Sequence, residues 1–245
     1  LELKRYIQSG GFPEVIVENE NPGLYLRELY GNIIEKDIIG RYAIEHKKTF
    51  REMAISLISN TGRSVSYNKL KNQYNLGSEH TIKNYLLYLE EAYLLFVLSR
   101  FSNKVIEIEK SDKKIYATDI GFVTHLSVSS SPDYGRNYET LVAISLFGKK
   151  YFIPGMEVYY WKSALQEEVD FVIREKRKVS QLIQVCYNID NYDTKNREIK
   201  ALLKASKELK CNNLLVITDE KEAEEKVSGK KIKYIPLGKW LLNGP

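Results

Sequence analysis

The chain has 245 residues, of which 43% are hydrophobic and 28% are charged, and its formal net charge is +5. This size allows one large domain or two domains of ordinary size, and the weak positive charge is compatible with an anionic partner without requiring one. No apolar segment approaches the roughly 18 residues needed to cross a bilayer, and no signal peptide is evident. The sequence therefore predicts a cytoplasmic protein without a membrane partner.

Cysteine and histidine are too rare to organise the fold. Only two cysteines, Cys186 and Cys211, and three histidines occur in the whole chain. Two cysteines cannot form a disulfide framework, and they lack the spacing of metal ligands. The sequence therefore excludes a disulfide-rich scaffold and predicts no zinc site.

Residues 1–45 are predicted to form a helical, lid-like segment. The first predicted helix ends at Gly10-Gly11, and a second begins at Pro22, which suits the first helical position. The apolar face of the second helix is formed by Leu24, Leu26, Leu29, Tyr30, Ile33 and Ile34. Because Leu1 already belongs to a helical pattern, we expect the chain to be the C-terminal part of a longer protein.

Residues 46–126 show the pattern of a winged helix-turn-helix domain, in which three short helices precede a β-hairpin. The third helix is predicted to begin after Ser78, a favourable N-cap, and to end near Leu89. The predicted strands are Leu94–Leu98, Lys104–Ile108 and Lys114–Tyr116. The hairpin from Arg100 to Lys114 would be the wing.

This domain supplies the candidate contacts to DNA. The third helix of a helix-turn-helix enters the major groove, where lysine meets phosphates and asparagine meets base edges. The candidates are His80, Lys83 and Asn84 on the helix and Lys104 and Lys114 on the wing. The alternative left open is that this domain is a protein–protein module or a rigid spacer.

Residues 127–245 are predicted to form a mixed sheet flanked by helices. Residues 119–133 are interpreted as a connection, with the polar segment Ser127–Gly135 as the domain boundary. The predicted elements are a helix (Asn137–Phe147), three strands (Val158–Trp161, Glu168–Ile173 and Gln181–Tyr187), a helix (Asp193–Leu209), two strands (Asn213–Asp219 and Ile232–Pro236) and a short terminal helix.

Two polar residues interrupt the apolar pattern of the central strands. Asp170 lies between Val169 and Phe171, and Gln184 lies in the next strand. A buried acid costs several kcal/mol unless it is paired or binds a metal. A carboxylate beside a polar group on the neighbouring strand is an arrangement that holds a divalent cation for phosphodiester hydrolysis.

These motifs resemble known families. GGFPEV (residues 10–15), a following Tyr/Leu-rich helix and KDIIGRY (residues 36–42) resemble a family of prokaryotic, largely archaeal AAA-type ATPases that carry an ATPase module, a winged helix and a nuclease-like domain. EVDFVI and the spacing from Asp170 to Gln184 resemble the PD-(D/E)XK nuclease superfamily. The resemblance implies an all-α, winged-helix N-terminal part followed by an α/β restriction-endonuclease-like domain.

The resemblance also implies site residues. Glu139, in a Gly-x-x-x-Glu pattern that begins at Gly135, and Asp170 would be the ligands of Mg²⁺ or Mn²⁺. Gln184-Val185-Cys186 stands where an active nuclease has an acid, any residue and a lysine. The catalytic residues would then be Asp170, Gln184 and Lys195, with Lys195, or otherwise Arg197, in place of the missing lysine.

Three functions therefore remain open. The chain is a nuclease-like DNA-binding portion of an ATPase with weak or lost cleavage, an active metal-dependent endonuclease, or an interaction scaffold that oligomerises or binds other proteins. It contains no G-x-x-x-x-G-K-[ST] phosphate loop. ATP would accordingly bind only to an N-terminal ATPase module of the same full-length protein.

Overall fold

The structure, a computed structural model, describes residues 2–17, 21–127 and 133–243. The chain divides into two compact units, one made of Leu1–Val97 and Asp112–Asp133 and the other of Leu98–Ser111 and Tyr134–Pro245. None of the helices within the described ranges is long and apolar enough to cross a bilayer. The protein is therefore mixed α/β, with a mainly helical first unit and a large sheet in the second.

Helices dominate the first half of the chain and strands the second. The helices are α1 (Glu2–Ser9), α2 (Pro13–Val17), α3 (Pro22–Asn32), which continues as a π-helical segment (Ile33–Ile39), α4 (Lys47–Ser59), α5 (Tyr67–Gln73), α6 (Glu79–Glu91), α7 (Val105–Lys110), α8 (Ile120–Leu126), α9 (Tyr134–Lys150), α10 (Tyr192–Glu208) and α11 (Leu237–Asn243). The strands are β1 (Ser64–Val65), β2 (Leu95–Ser99), β3 (Lys113–Ala117), β4 (Met156–Lys162), β5 (Glu168–Glu175), β6 (Lys178–Cys186), β7 (Leu214–Thr218), β8 (Ala223–Val227) and β9 (Lys230–Pro236).

The centre of the first unit is α8, which packs against α1, α3 and α4. The prediction that residues 119–133 form only a connection is therefore wrong for residues 120–126. The carboxylate of Asp119 caps α8 by accepting a hydrogen bond from the Gly121 amide at 2.7 Å. An apolar run this short carries too little periodicity to predict a helix, and burial against the other helices decides its structure. Residues 128–132 of the predicted boundary segment lie outside the described residues.

Asp119 also explains the glycines of the GGFPEV motif. Its second carboxylate oxygen accepts a hydrogen bond from the Gly11 amide at 2.8 Å. Gly10 has φ of +75°, and a Cβ placed on it would lie 2.2 Å from an Asp119 oxygen. Glycine is needed here both for the left-handed backbone and for the close approach of the carboxylate.

The three helices predicted in this segment are present as α4, α5 and α6, whereas the second predicted strand is not. Ser78 caps α6 through its hydroxyl, which accepts a hydrogen bond from the Thr81 amide at 3.2 Å. Lys104–Ile108, predicted as a strand, falls mainly in helix α7. The alternating sequence Val-Ile-Glu-Ile-Glu suggested a strand. In the structure Lys104 and Glu107, three residues apart in the sequence, form an ion pair of 2.9 Å, which stabilises a helical turn.

Sheet order in the first unit is β1-β3-β2, with β1 and β3 antiparallel. The apolar face predicted for the helix after Pro22 is correct for Leu26, Tyr30 and Ile34, which are buried. Leu24 is 59% exposed, so its predicted inward position is wrong. It lies in the first turn of α3, where the helix has only begun to pack.

The second unit is built on a six-stranded sheet of order β4-β5-β6-β7-β9-β8. The strands from β4 to β6 are antiparallel, β6, β7 and β9 are parallel, and β8 pairs antiparallel with β9. Helix α10 packs on β5 and β6, and α9 packs on β4 and β6. Every predicted strand of this region is present. Strand β8 (AEEKV) was not predicted, because an edge strand with charged side chains lacks an apolar pattern.

Candidate functional site

Asp170 lies in the first half of β5 and is 7% exposed. The antiparallel register that pairs Phe171 with Ile183 brings Asp170 alongside the end of β6. Its Oδ2 accepts a hydrogen bond from the Val185 amide at 2.9 Å. Asp170 and Gln184 therefore lie on neighbouring strands, β5 and β6.

Gln184 is 3% exposed and connects the strands to helix α10. Its Nε2 donates a hydrogen bond to Glu198 Oε2 at 2.5 Å. Its Oε1 is buried and has no hydrogen-bond partner within the described ranges. A buried acceptor without a partner costs free energy, and such an atom is a candidate ligand for a water molecule or a cation.

Glu198 is an acid of this site that the sequence did not single out. Its Oε1 accepts two hydrogen bonds from the Arg197 guanidinium, from Nη2 at 2.7 Å and from Nε at 3.1 Å. The side chain of Glu198 is only 14% exposed. The one available signal was its position next to Ile199, a buried residue of the amphipathic helix.

Cys186 ends β6 in the position where the resemblance calls for a lysine. Burial raises the pKa of its thiol to about 11, and the negative charges of Glu198 and Asp170 contribute in the same direction. The thiol is therefore neutral near pH 7 and supplies no positive charge. It packs in the apolar cluster between the sheet and α10.

Lys195, the predicted replacement for that lysine, is held by Glu225 of β8. Its Nζ lies 3.1 Å and 3.0 Å from the two carboxylate oxygens of Glu225. The same carboxylate accepts from Lys221 at 2.5 Å and from the Tyr234 hydroxyl at 3.0 Å. The hydrogen bond from Lys221 is the largest cause that lowers the pKa of Glu225 to about 2.

Arg197 is the cation whose charge acts on the Asp170 site. The hydrogen bond to Glu198 is the main cause that raises the pKa of Arg197, and the charges of Cys186 and Asp170 raise it further. The sequence had indicated Arg197 only as the second choice after Lys195. Lys195 and Arg197 lie two positions apart on α10, so their side chains leave the helix on different faces. This difference in direction explains why Arg197, and not Lys195, acts on the Asp170 site.

The predicted metal ligand Glu139 is half-buried on α9. The described residues contain no group of three or more His, Cys, Asp or Glu side chains that could hold a metal ion. The oxygens that suit Mg²⁺ or Mn²⁺ at the end of β6 are those of Asp170, Glu198 and Gln184. Both carboxylates already accept hydrogen bonds, so such an ion would be held weakly.

The predicted DNA contacts on α6 share one surface. His80 and Lys83 are exposed and Asn84 is half-buried. The Asn84 Nδ2 lies 3.3 Å from His80 Nε2, and the Lys83 ammonium lies 5.3 Å from the centre of the Tyr67 ring. His80 and Asn84 therefore contact each other on α6, and Lys83 lies over Tyr67 of α5.

The two contacts predicted on the wing differ in exposure. Lys114 is only 3% exposed, because it lies in β3, the middle strand of the small sheet. An ammonium buried in this way cannot reach a phosphate. Lys104 is exposed, belongs to the second unit and is ion-paired with Glu107.

Nearly the whole chain is similar to known families and proteins. A family model described as Domain of unknown function (DUF8612) matches residues 1–133, and one described as Domain of unknown function (DUF4143) matches residues 134–240. Uncharacterized protein MJ1544 of Methanocaldococcus jannaschii is 35% identical over 252 residues, which cover 98% of this chain and 55% of that protein.

A second relative, an uncharacterized protein of Haemophilus influenzae, is 24% identical over 198 residues, which cover 78% of this chain and 48% of that protein. The chain thus spans about half the length of the curated relatives it matches. No solved structure matches it significantly.

Proposed function

We propose a function for this chain from the premise that it belongs to the DUF8612 family, whose model matches residues 1–133. The second match, DUF4143, is a domain found in AAA-ATPase-associated proteins. We infer that the chain is the DNA-binding, nuclease-like C-terminal portion of a cytoplasmic AAA-type ATPase and that it cleaves phosphodiesters weakly or not at all. The remaining length of the relatives leaves room for an ATPase module.

The order of elements in the second unit supports a nuclease-like domain. Helix α9, strands β4 to β6, helix α10 and the parallel strand β7 follow one another as in restriction-endonuclease-like domains. That fold carries its acids at the facing ends of the second and third strands. Under this proposal, Asp170 on β5 and Gln184 on β6 correspond to those acids, with an amide in place of the second.

The observation that carries the proposal is the set of charges around Asp170. Phosphodiester cleavage needs acids that fix a metal and a cation that stabilises the developing negative charge. Here Cys186 is a neutral thiol, Lys195 is ion-paired with Glu225, and Arg197 is ion-paired with Glu198. The acids are present, whereas each nearby cation is already engaged, and this combination favours weak or lost cleavage.

DNA binding is supported by the first unit. Helices α5 and α6 pack against each other, as the two helices of a helix-turn-helix would, and α6 exposes His80 and Lys83 with Asn84 beside them. A lysine and an asparagine on the outer face of a second helix suit a phosphate and a base edge. These three residues form the candidate contact surface.

One observation favours an active endonuclease as the second candidate. The Gln184 Oε1 has no hydrogen-bond partner within the described ranges, while the Nε2 of the same side chain donates to Glu198. The next residue on β6, Val185, donates its amide to Asp170. A bound Mg²⁺ would polarise the scissile phosphate and lower the pKa of a water molecule. Asp170, Glu198 and Gln184 would hold it, and Arg197 would face the developing charge.

The test combines cleavage and binding. Plasmid and single-stranded DNA are incubated with the protein and Mg²⁺ or Mn²⁺, beside Asp170→Ala and the control Asp193→Ala, an exposed acid of α10. We expect intact DNA that is retarded on a gel. Metal-dependent nicking that Asp170→Ala abolishes and Asp193→Ala retains would establish the endonuclease instead.

The contact surface is tested by the double substitution Lys83→Gln/Asn84→Ala. We expect about a tenfold weaker DNA affinity, since a phosphate contact and a base contact are lost together. Lys48→Gln, on a side chain 90% exposed in the same unit, is the control. Equal affinity of all three proteins would reject α6 as the contact, and no DNA binding at all would favour an interaction scaffold.

A further inference from the structure

The two ends of the large sheet carry opposite charges. Strands β6, β7 and β9 are parallel, so their amino ends lie at one end of the sheet and their carboxyl ends at the other. Asp170 and Gln184 belong to the carboxyl end. The amino end, which no part of the candidate site uses, is basic.

Four chain segments meet at the amino end. The loop after α9 reaches β4, where the Met156 amide donates to the Ile153 carbonyl at 3.1 Å, and Met156 pairs with Glu175 beside the β5–β6 turn. The Leu182 amide of β6 donates to the Asn213 carbonyl at 3.0 Å and the Asn213 side chain donates to the Ser180 carbonyl at 3.2 Å, which places the loop between α10 and β7 beside the first half of β6. The Lys230 ammonium donates to the Asn212 side chain, which adds the β8–β9 turn.

These segments expose cations and aromatic rings side by side. Phe152 is 86% exposed and Tyr151 is 71% exposed, in the loop that connects α9 to β4. The exposed cations of this surface, which we call the basic end, are Lys150, Lys176, Arg177, Lys178, Lys207, Lys210 and Lys231. The exposed acids beside them are Glu175 and Glu208, and Lys231 is ion-paired with Glu224. The basic end therefore has a clear excess of positive charge.

The carboxyl end has the opposite character. Its cations are bound to carboxylates: Lys195 and Lys221 to Glu225, Arg197 to Glu198 and Lys239 to Glu222. Its loops add further acids, namely Asp190, Asp193, Asp219 and Glu220. A phosphate backbone that approaches this end would meet a field of its own sign.

We propose that nucleic acid binds the second unit at the basic end of the sheet and not over Asp170. This inference rests on the proposed function, since it locates the DNA contact of the nuclease-like domain. Lysine and arginine neutralise phosphates, and exposed aromatic rings stack on unpaired bases. Phe152 and Tyr151 make a single strand or a frayed end the favoured form.

The dimensions favour a linear polyanion over a lipid surface. The basic end runs from β4 to β9, four strand intervals, or about 19 Å at the usual strand spacing of about 4.8 Å. This length matches about five or six nucleotides of a base-stacked strand, at the duplex rise of about 3.4 Å each, and fewer of an extended one. A row of cations with two rings at one end follows a strand, whereas membrane binding requires a broader apolar face.

The test removes charge from the basic end without disturbing its fold. Lys176 and Arg177 have φ of 47° and 68° in the β5–β6 turn. Asn-Gly is the preferred pair for such a turn, so Lys176→Asn/Arg177→Gly removes two charges while the hairpin is retained. We expect about tenfold weaker affinity for single-stranded DNA at low salt and a salt slope smaller by about 1.4, since each phosphate contact on a single strand contributes about 0.7.

The matched control removes two charges from the other end, by Lys221→Gln/Lys239→Gln, at lysines that are ion-paired with Glu225 and Glu222. We expect its DNA affinity to equal that of the unmodified protein. We expect Phe152→Ala to weaken single-strand binding about tenfold, because the stacking of a base on the ring is lost.

If the control loses DNA affinity and Lys176→Asn/Arg177→Gly does not, the inference is overturned and the proposed function still stands. An unmodified protein that retards no DNA, or one that binds anionic vesicles through Phe152 instead, would overturn both.

Discussion

Two buried aspartates, one in each unit, look alike by exposure and differ in their surroundings. Asp119 is 8% exposed and Asp170 is 7% exposed. Asp119 accepts hydrogen bonds from the amides of Gly11 and Gly121. Asp170 accepts a hydrogen bond from the Val185 amide, and it acts electrostatically on Cys186 and Arg197.

This difference shows what distinguishes a structural acid from a candidate functional one. The carboxylate of Asp119 is enclosed by glycine backbone that leaves no room for another group. Burial raises its pKa, and no neighbouring charge is among the causes. Asp170 instead lies near the titratable side chains of Cys186 and Arg197, and Arg197 binds Glu198, which accepts a hydrogen bond from Gln184. Burial alone did not mark the site; the chemical nature of the neighbours did.

The strongest test of the structural role is Gly10→Ala. The new Cβ would collide with the Asp119 carboxylate, and the left-handed backbone adds strain, so we expect the free energy of unfolding to fall by about 3 kcal/mol or more. Gly31→Ala is the control, because a Cβ there meets nothing within 4 Å in helix α3, and it should stabilise by about 0.5 kcal/mol. Urea unfolding measures both, and equal stability of the two variants would refute the tight enclosure of Asp119.

Replacing each aspartate by alanine tests directly which of the two stabilises the fold more. Asp119→Ala leaves two backbone N–H groups without acceptors and should cost about 2 to 4 kcal/mol. Asp170→Ala leaves the Val185 amide without this acceptor, and it should cost about 1 kcal/mol. The same unfolding experiment ranks them, and a larger loss in Asp170→Ala would reverse the assignment of roles.

Glu225 extends the comparison to an acid held by two lysines. Its pKa is lowered to about 2 from an ordinary 4.5, so its contribution to stability is present above pH 4.5 and disappears as the pH falls towards 2. We expect Glu225→Gln to lose about 1 to 2 kcal/mol at pH 7, after allowance for partial exposure, and nothing near pH 2. Melting temperatures from pH 2 to 7 measure this, with Glu222→Gln as the exposed control. A constant difference across the pH range would contradict the ion-pair account.

The smallest expected effect concerns Cys186. Because the Asp170 charge contributes to the raised pKa of this thiol, Asp170→Asn should lower that pKa by about half a unit. Asp119→Asn should leave it unchanged. The pH dependence of iodoacetamide labelling, in a Cys211→Ala background, gives the value. The same shift in both variants would show that labelling reports a general loosening of the fold.

The sequence predicted those parts of the fold that depend on local chemistry. Ser78 as an N-cap, Pro22 as a helix start and the apolar strands around Asp170 act over a few residues, and each is found. Helices α7 and α8 and strand β8 were missed, because each is short and is stabilised by packing or by an edge position. Local pattern does not contain that information.

The sequence by itself determined that Asp170 and Gln184 are polar interruptions of adjacent core strands, since alternation and length alone specify buried strands. Only the tertiary structure decided that Glu198 joins them, that Lys195 binds Glu225 instead, and that the cations gather at one end of the sheet. The reason is geometric. The direction of a helical side chain and the parallel register of β6, β7 and β9 bring together residues that are distant in the chain.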